Sequence, residues 1–387
     1  MREMKKGFYF TLLVWLGMSG KAAYAQGEQP DNNKLLELYQ AQRYREAATY
    51  FRSFYSDTTA DPAVLNRLGY CYRMAGDYGQ AEPYYQRLYE LDSLNVITLM
   101  NLAAVQMKRG LYASAAVNYQ RIVSVDSNHV AAYRALSGLT KRAGDLASAF
   151  YYMSRANSLQ PINSDIACDF AQLCVDLERY GLADTVLQLA LDADPEHGLV
   201  LLTKIKVAEK LKHYTEVVAI GKQLVEQGDA SREVLALLAR GYFHTQHFAD
   251  CEQTYNRLLA VHKQMGEVDY YYLAMTYKAL KRYQEGLESM DKVLALAVSP
   301  NTAFYYGRKA DLHDLANQPS AAAKSYLRSF QFEVIPLHYY SLAVVYDRKL
   351  TDTRNALRYF RQYIKQNPPG EERIYVDYAR RRIDELQ

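Results

Sequence analysis

Pro62–Asn95, PAVLNRLGYCYRMAGDYGQAEPYYQRLYELDSLN, is the stretch whose reading decides the fold. Two amphipathic segments flank a turn at Ala75-Gly76-Asp77, and the chain repeats this 34-residue pattern eight more times. With Pro62 as position 1, further copies start at Val96, Val130, Ser164, Gly198 and Arg232 without a gap. After small slips, three more begin at residues 267, 303 and 336. Position 8 reads Gly69, Ala103, Ser137, Ala171, Ile205, Ala239, Ala274, Ala310 and Ala343. Position 20 reads Ala81, Ala115, Ala149, Ala183, Val217, Cys251, Gly286, Ala322 and Ala356. A fixed period of this length marks a solenoid of helical hairpins.

Positions 4, 8 and 11 share one face of the first helix, and 20, 24 and 27 share one face of the second. A small residue at 8 opposite a small residue at 20 lets the two axes approach closely, as a dense interior requires. The ring at 24 (Tyr85, Tyr119, Tyr255, Tyr326, Phe360) fills the space beside them, and Leu68, Leu102, Leu136, Phe170 and Leu238 at position 7 complete the packing.

These residues resemble the tetratricopeptide repeat. The pattern includes Leu-Gly or Leu-Ala at 7–8, Tyr at 11 (Tyr72, Tyr242, Tyr277, Tyr346), Gly at 15 (Gly76, Gly110, Gly144) and Tyr at 17 (Tyr78, Tyr112, Tyr180, Tyr214, Tyr283). It also has Ala at 20, the aromatic at 24 and Pro at 32 (Pro161, Pro195), and it runs from about Gln29 to Asn367. The resemblance implies an all-α fold: a right-handed superhelical solenoid of about nine to ten hairpins, with a C-terminal capping helix. It also implies that first helices line a concave groove and that the groove binds other proteins. The clamp by which some co-chaperones of this family hold a terminal carboxylate, Lys at 5 with Asn at 9, occurs in no repeat here.

A chain of 387 residues would ordinarily divide into two or three domains. The repeat argues instead for one quasi-linear array from 34 to 367, because each hairpin buries its face only against its neighbours. Residues 34–61 (Leu35, Leu38, Tyr44, Ala47, Phe51) read as a degenerate first unit, 26–33 as a polar lead-in and 371–387 as a capping helix. The unit at Gly198 is the most eroded, with Lys204 at 7, Ile205 at 8 and Gly221 at 24. It is either a flexible joint or a local repacking in which Ile205 fills the space that Gly221 leaves. Slips near Gly266 and Val298–Thr302 predict weaker regularity there. Pro368-Pro369-Gly370 ends the last repeat.

Residues 1–25 read as a signal peptide, with Arg2, Lys5 and Lys6 before the apolar run Gly7–Met18 and Ala23-Tyr24-Ala25 at the cleavage point. The run is shorter than the roughly twenty residues that a spanning helix needs. Export to the periplasm or the outer-membrane region of a Gram-negative bacterium follows; an uncleaved N-terminal anchor is the alternative. No cysteine lies near the cleavage point to carry a lipid. Of the 46 basic and 43 acidic residues, four and one fall in this leader, so the remainder is neutral and carries no global footprint for nucleic acid. Trp15, the sole tryptophan, also lies there. The 36 tyrosines are largely repeat positions 11, 17 and 24.

Candidate chemistry is sparse. Cys168 and Cys174 lie six residues apart on one helix, about 9 Å along its axis, and Cys71 and Cys251 belong to distant hairpins. Four separate thiols are expected. His244 and His247, at i and i+3, are close enough to share a metal but have no evident third ligand. No Walker loop, dinucleotide glycine pattern, HExxH or GxSxG occurs, so no catalytic residue, metal or cofactor is expected. Positions 5, 9, 12 and 13 form a stripe about 100° from the core face of the first helix, and family geometry would turn it toward the groove. Basic groups there are Lys108, Arg134, Lys141, Arg142, Lys206, Lys210 and Arg240, opposed by Asp176 and Glu209. Aromatic groups are Tyr70, Phe243, Tyr271 and Tyr340. The expectation is a non-catalytic scaffold that holds an acidic protein or peptide segment. A solenoid that binds peptides or glycans is the alternative.

Overall fold

A computed structural model describes residues 29–296 and 300–387. The leader with Trp15, and Val298 in the second slip, lie outside the described residues. Every regular element among them is helical. The chain divides into two compact units, the first ending at Ala143 and the second spanning Gly144–Gln387. The boundary falls in a turn inside the hairpin read as 130–163.

Unit 1 contains α1 (Asn32–Gln40), α2 (Tyr44–Arg52), α3 (Pro62–Met74), α4 (Tyr78–Leu91), α5 (Val96–Lys108), α6 (Tyr112–Val125) and α7 (Val130–Arg142). Unit 2 opens with α8 (Leu146–Leu159), α9 (Ser164–Asp176), α10 (Tyr180–Ala193), α11 (Gly198–Lys210), α12 (Tyr214–Glu226), α13 (Arg232–His244) and α14 (Phe248–His262). It continues with α15 (Glu267–Ala279), α16 (Tyr283–Leu296), α17 (Thr302–Leu315), α18 (Pro319–Ser329), α19 (Pro336–Arg348), α20 (Thr353–Lys365) and α21 (Arg373–Leu386). Within each unit, helices adjacent in sequence pack as successive hairpins. None of the described helices is long and apolar enough to cross a membrane.

Local chemistry sets the boundaries. Asp61, Asp77 and Asn95 accept hydrogen bonds from the amides of Ala63, Gln80 and Thr98, capping α3, α4 and α5. The turn at position 15 requires left-handed backbone. Gly76, Gly110 and Gly144 supply it at φ of 74°, 75° and 84°. Later repeats force the same geometry on Glu178, Lys212, Gln246 and Lys281 at φ of 57° to 63°, where a Cβ costs roughly 1–2 kcal/mol.

The core follows the repeat. Every residue at positions 8 and 20 is buried, Ala115 and Ala149 completely. A Cβ on Gly69 would lie 3.0 Å from the Tyr85 ring, so the aromatic at 24 occupies the space that position 8 leaves. In the eroded unit, a Cβ on Gly221 would meet Leu238 at 3.0 Å and Ile205 at 3.4 Å. That is local repacking, with volume moved from one position to another. Lys204 at the apolar position 7 is 2% exposed; its ammonium lies 2.6 Å from Asp184 Oδ1 and 3.4 Å from Glu216 Oε1. All four cysteines are free and buried. Burial pushes the Cys174 and Cys251 thiols up to about 11, far from reactive thiolates.

Near the second slip, His338 of α19 is buried against α17 and α18. Its Nδ1 lies 2.9 Å from Ser329 Oγ, and its ring sits so near Gly307 that no Cβ would fit between them. Burial holds the imidazole down to about 4; the Asp311 charge raises it somewhat and Arg308 lowers it. The last repeat has a longer turn, with Thr351 at φ 51°. The C-terminal helix begins at Arg373 after a short 3-10 turn, Gly370–Glu372. It is anchored by Arg382, whose guanidinium donates to both carboxylate oxygens of Asp347 at 2.9 and 2.6 Å.

Lys281→Gly is expected to raise the unfolding free energy by roughly 0.5–1 kcal/mol and Gly110→Ala to lower it by a similar amount, measured by urea titration. His338 contributes a pH dependence. The unfolded imidazole takes its proton near pH 6.5 and the folded one only near 4, so stability present above the unfolded value is lost as pH falls between them, up to about 3 kcal/mol. Denaturation midpoints from pH 7.5 to 4.5 should therefore fall more steeply for the natural chain than for His338→Gln. Parallel curves would contradict the assignment.

Candidate functional site

In unit 2 the first helices of three successive repeats, α9, α11 and α13, enclose a hollow of about 530 Å³. Val175, Val207, Ala236 and Leu237 supply its apolar floor. Positions 9, 12 and 13 of the repeat supply much of its wall, because they lie off the core face of each helix. Lys206, Lys210 and Arg240 from the basic stripe meet there, and Arg232, from the first turn of α13, joins them.

Most of these cations are already engaged. Arg240 donates from Nε to Glu209 Oε1 at 2.6 Å, and its Nη1 lies 3.8 Å from Asp269 Oδ1. Lys206 pairs with Glu233 at 3.0 Å and Arg232 with Asp269 at 3.5 Å. Burial alone would depress the Arg240 guanidinium, but the Glu209 hydrogen bond and the nearby Glu209 and Asp269 charges outweigh it and hold the pKa above its ordinary value. Lys210 is exposed and makes no ion pair among the described residues. Counting formal charges, the four basic groups Lys206, Lys210, Arg232 and Arg240 face three carboxylates, Glu209, Glu233 and Asp269, which leaves an excess of one positive charge.

An aromatic cluster adjoins it on α13. Phe243 and His244 follow Arg240 by three and four residues, on the same side of the helix. Phe243 meets Tyr272 edge-on at 5.1 Å between centroids, and His244 stacks on Tyr214 at 3.9 Å with 12° between planes. His244 Nε2 lies 3.2 Å from the Tyr272 hydroxyl, while His247 Nδ1 lies 3.0 Å from Thr245 Oγ1. The two histidines thus turn to separate partners. Burial lowers the His244 pKa, with Glu209 opposing and Arg240 and Lys212 assisting. Tyr272 contacts Tyr271, which reaches Phe304 and Tyr305 at 5.9 and 5.6 Å.

The remaining residues of the stripe lie elsewhere. Tyr340 packs against Tyr375 and Tyr378 of α21, at 5.0 and 5.9 Å, and against Tyr363 at 5.4 Å. Tyr70, Lys108, Arg134, Lys141 and Arg142 belong to unit 1. There Tyr70 sits edge-on to Tyr39 and Tyr44, and the Arg142 guanidinium lies 4.1 Å above the Tyr112 ring. Lys108, Arg134 and Lys141 are exposed. Reading the stripe alone missed Glu233 and Asp269, which come from the first turns of α13 and α15. Acidic residues are ordinary at helix N-termini, and nothing local marks them as partners of the preceding repeat.

Family models of the tetratricopeptide repeat match residues 33–96 and 339–369. No curated protein matches the chain. Among solved structures, it is similar to the C-terminal part of a TPR repeat-containing protein from Cytophaga hutchinsonii (16% identity, 70% of this chain and 98% of that chain, TM-score 0.47). It is also similar to PilW, a type IV pilus biogenesis factor (18% identity, 52% and 92% coverage, TM-score 0.42). A third is YrrB, described as a TPR protein with an unusual peptide-binding site (15% identity, 46% and 91% coverage, TM-score 0.42). Residues 33–96 and 339–369 are thus tetratricopeptide repeats, and the same 34-residue unit recurs between them.

Proposed function

We propose that this protein is an exported scaffold of the bacterial cell envelope, and that the hollow of unit 2 seats an extended, acidic segment of a partner protein. The observation that carries the reading is the combination of an apolar floor with a rim on which basic groups outnumber acidic ones and Lys210 has no ion pair among the described residues. A segment laid across α9, α11 and α13 would lay apolar side chains over Val175 and Ala236 while its carboxylates meet Lys210 and the outer faces of Lys206 and Arg232. Electrostatic complementarity of this kind speeds encounter and sets register more than it adds raw affinity. Export rests on residues 1–25, whose charged, apolar and small-residue regions have the order of a cleaved leader.

Lys206→Glu combined with Lys210→Glu is expected to abolish capture of the partner from envelope extract, while helical content is kept. Arg134→Glu with Arg142→Glu applies the same reversal to unit 1. Capture unaffected by either pair would refute an acidic segment as the ligand. Edman sequencing of the protein recovered from the envelope should begin at Gln26, and its emission should be that of tyrosine alone; an intact N-terminus retaining Trp15 would replace cleavage with anchoring.

A further inference from the structure

We infer that the ring cluster at the end of α13 is a second contact point for the same partner segment, and that it takes an aromatic side chain. This rests on the reading of the hollow as a seat for an acidic segment. Phe243 and Tyr272 are half-buried, and His244 is exposed, lying flat on Tyr214 and within hydrogen-bond distance of the Tyr272 hydroxyl. The rings hold one another in place, so the surface is arranged before any ligand arrives and little ordering remains to be done on binding. Edge and face are both presented, an arrangement that favours another ring over an aliphatic side chain of equal area.

Spacing turns this surface into a sequence preference. Lys210 and His244 occupy position 13 of successive repeats, so they stand one repeat step apart on α11 and α13, which touch. Touching helices lie about 8–10 Å apart between axes, and a polyproline-II chain, whose side-chain direction repeats about every three residues, advances about 3.1 Å per residue. A carboxylate at Lys210 and a ring at His244 and Phe243 therefore belong to side chains about three residues apart on one face of a polyproline-II-like segment. Arg240, one turn before Phe243 on the same face, is already held by Glu209, so Lys210 is the cation that answers the carboxylate. The partner motif is accordingly acidic, with an aromatic residue about three positions from the carboxylate that meets Lys210.

The test uses the full chain and fluorescein-labelled octapeptides of glycine and serine. One carries two glutamates with 5-fluorotryptophan three residues beyond the second. A second peptide has the fluorotryptophan next to the glutamates, and a third has serine in its place. Anisotropy is expected to show the first binding about tenfold more tightly than the third, with the second close to the third and a fluorine shift only for the first. His244→Ala, at an exposed position, and Phe243→Ala should each remove most of that advantage, with circular dichroism confirming that the helices persist. Equal binding of all three peptides, lost together in Lys206→Glu with Lys210→Glu, would overturn the aromatic contact and leave the basic hollow standing. Binding of none of them would remove both.

Discussion

Within each unit the fold depends on the closeness of the two helices of a hairpin. Positions 8 and 20 are buried in every repeat, and apart from Ile205 nothing larger than valine stands at either. Short side chains there bring the axes together, and the aromatic at 24 then closes over them, as Tyr85 does over Gly69. Close hairpins leave an apolar face that only the next hairpin can cover, so stacking follows from the same constraint. Where a repeat departs from the rule it conserves volume. Ile205 at position 8 and Leu238 of the next repeat occupy what Gly221 vacates, the kind of exchange that dense cores tolerate.

Because the core of each hairpin uses one stripe of its first helix, the neighbouring stripe carries less of the packing. Its residues can vary without disturbing the stack, and in unit 2 they have become a hollow with a charged rim. The rim is neither a bare basic patch nor a neutral surface. Glu209, Glu233 and Asp269 hold Arg240, Lys206 and Arg232 in place through ion pairs of 2.6 to 3.5 Å. Partly exposed pairs of this kind contribute little to stability, but they restrict where the guanidinium and ammonium groups point. Lys210 is left as the group most able to answer a new charge.

Much of the architecture is legible in the sequence, since the helical hairpins, the turn at position 15, the buried small residues and the separate thiols all follow from a repeat seen nine times over. The C-terminal helix is legible too, though its start moves to Arg373 behind a 3-10 turn. What escapes is long-range and particular. Tyr340 occupies a stripe position yet is packed against α21, because a cap lies over the last repeat as no repeat lies over it. Glu233 and Asp269 sit at stations that the stripe does not include and reach it from the following helix. Lys204 breaks the pattern of its position, and nothing nearby shows that its partners lie in α10 and α12. The division at Ala143–Gly144 falls at a glycine that the repeat treats as an ordinary turn.

The buried Lys204 bears on how such a chain avoids mistaking one copy of its motif for another. Hairpins built on one template can dock on the wrong neighbour at small cost, and misassembly and domain swapping are characteristic failures of repeat proteins. An ammonium sealed from water, with carboxylates only on Asp184 and Glu216 to answer it, makes α11 intolerant of any other pair of flanking helices. A misdocked α11 would leave that charge uncompensated in an apolar interior, at several kcal/mol. One polar residue in the middle of the array thus serves as an address, distinguishing this repeat from eight near-copies that packing alone would accept.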